Sequence, residues 1–104
     1  MSLCHRELQR VYRQYNQRWF YGALPEDVDC MFSPAADCYG LVRQEDSGWI
    51  LMLDPKYAID GRLWRFTLLH EQNHLYLNPY RLHGIRFQDG MKRLANEGAF
   101  RLLW

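Results

Sequence analysis

The chain has 104 residues, 48% of them apolar and 15% aromatic, which suits one folded domain over 1–104 and excludes a disordered polymer. A formal charge of +1 excludes a strong overall pull toward nucleic acid or acidic lipid, and no apolar run approaches a membrane span. Three cysteines, Cys4, Cys30 and Cys38, include no Cys-x-x-Cys pair, so neither a zinc ribbon nor a disulfide framework is expected. Reduced, buried thiols and the lack of a charged-then-apolar leader layout point to the cytoplasm.

Residues 2–21 predict an amphipathic helix. Leu8, Val11, Tyr12, Tyr15 and Trp19 fall on one side, with Arg6, Arg10, Arg13 and Gln17 on the other. Gly22 supplies a left-handed stop and Pro25 follows. The arginine stripe reads as a solvated face, or as a track for a phosphate backbone.

Residues 28–32 alternate weakly and predict a short strand ended by Ser33-Pro34. Residues 37–43 and 48–53 predict two more, with hairpin-loop chemistry over 44–48. The expectation is a small antiparallel sheet of about three strands.

Residues 62–77 contain no Pro or Gly; Asp60 offers an N-cap and Asn78-Pro79 a stop, so a second helix follows. Leu63, Phe66, Thr67, His70, His74 and Leu77 share one face, while Trp64, Leu68, Leu69, Leu75 and Tyr76 cover the others. A helix apolar nearly all round belongs at the centre of a small domain. Residues 84–98 predict a third helix with Phe87, Met91, Leu94 and Ala95 as its apolar stripe. Residues 99–104 are an apolar tail that would pack on the core or meet a partner. Helix, strands and two helices make an α+β domain.

The second helix carries His70-Glu71-Gln72-Asn73-His74, an H-E-x-x-H box. Four residues on a helix bring two side chains to one face a turn apart, so both imidazoles can reach one zinc ion. Zinc lowers the pKa of water, and Glu71 on the flank would take its proton and pass it to a leaving amine. Two histidines and a glutamate on a central helix need partners, because an unpaired buried polar group costs about 1–3 kcal/mol. Zinc would meet that need.

A catalytic zinc site takes three protein ligands and keeps one position open. The other histidines are His5, on the first helix, and His83, which follows the Asn78-Pro79 break and precedes Gly84. A loop there would let His83 turn back to the metal. Glu97 is the competing third ligand, as in zinc peptidases with a glutamate on a later helix, although it lies off the apolar stripe of the third helix.

These segments together resemble the SprT-like family of zinc metalloproteases, which includes the Spartan proteases. Tyr15-Asn16 with Trp19-Phe20-Tyr21-Gly22-Ala23-Leu24-Pro25 is similar to the family's segment before its first strand. Tyr39-Gly40 resembles its glycine-bearing second strand, Leu68 to His74 its metal box, and His83-Gly84-Ile85-Arg86-Phe87 its H-G-x-x-F segment. The resemblance implies a zincin-like fold, peptide-bond hydrolysis, His70, His74 and His83 as zinc ligands, and Glu71 as base. Gln72 and Asn73 are more polar than the box residues of the family, and the four-cysteine ribbon of many relatives is missing, so a minimal form is expected.

The leading expectation is thus a zinc-dependent endopeptidase acting on protein or peptide substrates. One strand of the hairpin would hold an extended substrate by main-chain pairing. Tyr76, Tyr80, Arg81 and Arg86 are the candidates for stabilising the oxyanion. Two other readings remain: a zinc-braced binding or regulatory module without turnover, and a DNA-associated protease acting through a partner.

Overall fold

Helix α1 (His5–Trp19) forms where apolar residues recur at helical spacing. Leu8, Val11 and Tyr12 are buried, and Arg6, Arg10, Arg13 and Gln17 stay exposed. The structure, a computed structural model, describes residues 5–34, 40–46, 48–57, 61–77 and 84–101. Within it α1 stops two residues before the predicted end. The Asn16 carbonyl accepts N–H groups from Phe20 at 3.1 Å and Gly22 at 2.9 Å, and Tyr21 (φ 59°) joins Gly22 (φ 71°) in the left-handed region. The Asn16 side chain then clamps Leu24 from both sides: its Nδ2 donates to the Leu24 carbonyl at 3.1 Å, and its Oδ1 accepts the Leu24 N–H at 3.0 Å.

Strands β1 (Asp29–Phe32), β2 (Gly40–Glu45) and β3 (Gly48–Leu53) form one sheet in the order β1-β3-β2. Glu45 pairs with Gly48, so β2 runs on through Gln44 and Glu45 beyond the expected loop boundary. An ion pair between Arg43 and Glu45, two apart on one face, ties the exposed end of that strand.

The sheet is mixed, which corrects the expected antiparallel arrangement: β1 pairs with β3 in parallel, Asp29 opposite Ile50 through Phe32 opposite Leu53. Strand β3 is the most continuously apolar of the three, and Leu51 and Leu53 are fully buried. It therefore takes the centre, where both edges are paired and both faces can be covered. Strand β1 fills the side that the hairpin leaves open.

The two sheet edges differ. Gln9 of α1 covers β1, donating from Nε2 to the Val28 carbonyl at 2.9 Å and accepting the Cys30 N–H on Oε1 at 3.1 Å. Among the described residues no strand pairs with the outer side of β2. Covering one edge of a small sheet and leaving the other open sets where another chain can pair.

A 3-10 turn (Pro55–Tyr57) leads toward α2 (Gly61–Tyr76), and Asp54 holds it by accepting the Lys56 N–H on Oδ1 at 2.9 Å. Helix α2 is central: Trp64, Leu68, Leu69 and Leu75 are buried against the other elements. Full burial of each leucine contributes about 1.5–3 kcal/mol. Of the predicted face of Leu63, Phe66, Thr67, His70, His74 and Leu77, Thr67 is buried and the rest is half open, with Leu63 38% exposed. The flanks carrying Trp64 and the leucines are more apolar, so they win the core and the histidine face turns outward.

Helix α3 (Ile85–Glu97) closes on Gly98, whose φ of 94° permits its N–H to reach the Ala95 carbonyl. Phe87 and Leu94 are buried and Met91 half-buried, but Ala95 is exposed, so the apolar stripe is narrower than expected. Phe100 then packs its ring 5.2 Å from Phe66. Asp60, Asn78, Pro79, Cys4, Cys38 and the 102–104 tail lie outside the described residues. None of the described helices is long and apolar enough to cross a membrane.

Candidate metal centre

His70 and His74 leave the half-open face of α2 with ring centroids 5.0 Å apart and planes at 70°. Two imidazoles bound through nitrogen to one zinc at about 2.0–2.1 Å, with a tetrahedral angle between them, would place their centroids about 5 Å apart. The separation of the two rings matches that spacing. Phe87 of α3 closes on both rings, stacked on His74 at 4.3 Å and edge-on to His70 at 4.8 Å. An apolar ring against two imidazoles limits their rotamers, which pre-orients a metal ligand.

Glu71 lies a hundred degrees round the helix, facing the sheet, and is 7% exposed. Its Oε2 stands 3.9 Å from His70 Nε2. Burial pushes its carboxyl up from the ordinary carboxylate range to about 7. A cation held by the histidines would pull it down again. Its neighbour across the gap is Gly40, the first residue of β2: a Cβ there would stand 3.2 Å from Glu71 Cγ, 3.1 Å from the Met52 carbonyl oxygen and 3.0 Å from a Leu53 methyl. Glycine lets the open strand lie directly beside the glutamate.

The two middle residues of the box explain themselves in the structure. Gln72 and Asn73 are fully buried. Gln72 Nε2 donates to the Tyr12 carbonyl of α1 at 3.0 Å, and Asn73 Nδ2 donates to the Phe87 carbonyl of α3 at 3.0 Å. Each leaves its amide oxygen without a hydrogen-bond partner, a penalty of about 1–3 kcal/mol that an apolar side chain would escape. What the amides add is direction: each fixes one neighbouring helix to the metal-box turn. Sequence spacing turns Gln72 away from the histidine face, as found, but gives no sign of its partner.

The other predicted residues divide. His83, Tyr80 and Arg81 lie outside the described residues, and among the described residues no three His, Cys, Asp or Glu side chains gather as a metal cage. Glu97 sits at the far end of α3, ten residues and about 15 Å along the axis from Phe87. There it pairs with Arg93 at 3.0 Å, whose Nη1 also donates to the Trp19 carbonyl at 2.8 Å. Tyr76 points to the opposite side from the histidines, its ring 5.5 Å from Phe20 and beneath the Arg93 guanidinium. Arg86 is exposed near the start of α3, and His5 is exposed on α1 with its ring 6.1 Å from Phe32. Spacing along the chain does not mark Gln9 as the residue that covers β1, and for Gly40 the resemblance of Tyr39-Gly40 to a glycine-bearing strand is the hint. For Phe87 the hints are the H-G-x-x-F segment and its place on the apolar stripe of the third helix.

No protein-family profile matches the chain, and no curated protein sequence matches it.

Proposed function

We propose that the chain is a zinc-dependent endopeptidase of the SprT-like, zincin-like kind, with α2 as its metal helix. The observation that carries this reading is the 5.0 Å spacing of the His70 and His74 rings on one face of α2, with the Glu71 carboxyl buried beside them and against the open edge of β2. His70 and His74 would hold zinc, and His83 would be the third ligand. When bound, zinc supplies a Lewis acid that polarises a carbonyl and acidifies water.

Glu71 then does the proton work. Its carboxylate takes one proton from the attacking water and returns it to the nitrogen of the broken peptide bond. Strand β2 would bind the substrate backbone along its unpaired edge, bringing a scissile bond past Gly40 and Glu71. Strand β3 is excluded from that role because it is paired on both sides. A buried reduced thiol at Cys30 suits the cytoplasm.

The test is cleavage of an unfolded protein by zinc-loaded chain, with and without chelator, beside Glu71→Gln. Zinc should stay bound in Glu71→Gln while turnover falls by about a hundred- to ten-thousand-fold. Full zinc occupancy without any cleavage by the parent chain would favour the binding-module reading instead.

A further inference from the structure

The sheet has two faces, and alternation along its strands separates them. Cys30, Leu51 and Val42 pair across the three strands and are all buried, which marks the face covered by α1 and α2. The residues between them point the other way. Asp29, Ile50 and Arg43 form one row across that second face, and Met31, Met52 and Leu41 form the next. Phe32 and Trp49, on the first face, pack against the core; the half-buried Met31, Leu41, Ile50 and Met52 are not part of it. Helix α3 packs on α2, so among the described residues no helix lies over the second face.

Charge decides what this apolar face fits. Asp29 and Arg43 are exposed at opposite ends of one row, with Ile50 of the central strand between them. Two strand spacings hold them about 9.5 Å apart, too far to pair within one chain. Arg43 holds Glu45 through Nε, so its two terminal nitrogens can still meet another carboxylate. Among the described residues Asp29 has no ion-pair partner.

We propose that this sheet face is the contact surface of a homodimer, two copies packed face to face about a two-fold axis that runs along β3. That axis lays β1 of each copy over β2 of the other, with the strands aligned and the sheets about 10 Å apart. Each Asp29 then meets Arg43 of the partner subunit, twice over, as a two-fold contact requires. Ile50 meets its own copy at the centre, as does Met52, whose flexible side chain fills irregular gaps. A two-fold axis running across the strands would instead set like charge against like. The helices and the open edge of β2 stay on the outside, and the contact needs neither zinc nor peptide hydrolysis. Three short strands offer less than the roughly 800 Å² per partner of a standard interface, so the dimer should be weak, with a Kd on the order of tens of micromolar.

The experiment is sedimentation equilibrium of the full chain over about 5–300 µM at low salt, which brackets such a Kd. The parent should show a monomer–dimer equilibrium. Asp29→Arg alone and Arg43→Glu alone should each weaken self-association about tenfold or more, because each brings like charges together. An equimolar mixture of the two variants should associate as the parent does, since opposite charges then meet at both ends. Met52→Lys, at the centre of the face, should be monomeric throughout, and circular dichroism verifies the fold of each variant. A parent that stays monomeric at the highest concentration overturns the proposal. So does a mixture that associates no better than its components. A dimer weakened by Arg43→Glu but not by Asp29→Arg would pair through the open β2 edge, which overturns it as well.

Discussion

Gly90 of α3 and Asn73 of α2 are in such close contact that a Cβ at position 90 would overlap the Asn73 amide, lying 2.9 Å from Nδ2 and nearer still to Oδ1. Asn73 has no room to yield. It is fully buried and donates to the Phe87 carbonyl. One glycine therefore sets how closely the helix bearing Phe87 approaches the two histidines.

Gly90→Ala tests that relationship. Alanine in a helix interior gains about 1 kcal/mol over glycine, but overpacking a tight core contact costs about 1–3 kcal/mol. The overlap is with a hydrogen-bonded, buried side chain, so the penalty should win. Chemical denaturation should show net destabilisation, and Asn73→Ala in the same chain should recover part of the helix gain. A Gly90→Ala protein more stable than the parent would mean that α3 is free to shift.

Metal content should follow the histidine pair. The chain should carry about one zinc per molecule. His70→Ala and His74→Ala should each abolish tight binding, read by elemental analysis after dialysis. Full occupancy in either variant would remove that residue from the site.

The third ligand is separated by a competition titration against a coloured chelator. His83→Ala should weaken zinc affinity sharply, because two imidazoles leave the rest of the coordination shell to water. Glu97→Gln should leave affinity nearly unchanged, since Glu97 is occupied with Arg93 at the other end of α3. Its effect on stability should stay within about 0.5 kcal/mol, the usual worth of an exposed helix ion pair. The reverse pattern would move the ligand to Glu97.

Alkaline pH should weaken the fold. Burial pushes the Cys30 thiol up to about 12 from an ordinary value of 9.0, and burial also raises the Tyr12 hydroxyl. Below pH 9 the thiol is protonated in folded and unfolded chains alike, and its contribution is complete. Between pH 9 and about 12 the unfolded chain releases that proton while the folded chain keeps it, so stability falls by about 1.4 kcal/mol per pH unit. Melting temperatures across that window should decline less steeply in Cys30→Ala. An unchanged slope would place the loss with Tyr12 or elsewhere.

The helix periods, the hairpin and the H-E-x-x-H spacing were legible in the residues themselves. A four-residue step on a helix has one geometry, so His70 and His74 were bound to share a face whatever surrounded them. The turn after α1 was legible too, because Gly22 is permissive where other residues are strained. Which face of α2 would be buried was not legible. Nearly every side is apolar, and the choice between them came from competition among neighbours for the same core. The parallel pairing of β1 with β3 depended on which strand won the centre of the sheet, a long-range outcome that no local alternation encodes. The same holds for the amides of Gln72 and Asn73, out of place in a metal box when read along the chain. Their acceptors, the carbonyls of Tyr12 and Phe87, lie 60 and 14 residues away, and only folding brings them within 3.0 Å. Local steric rules act over a few residues and can be read from them; burial and hydrogen-bond partnership are decided by whatever the whole chain places alongside.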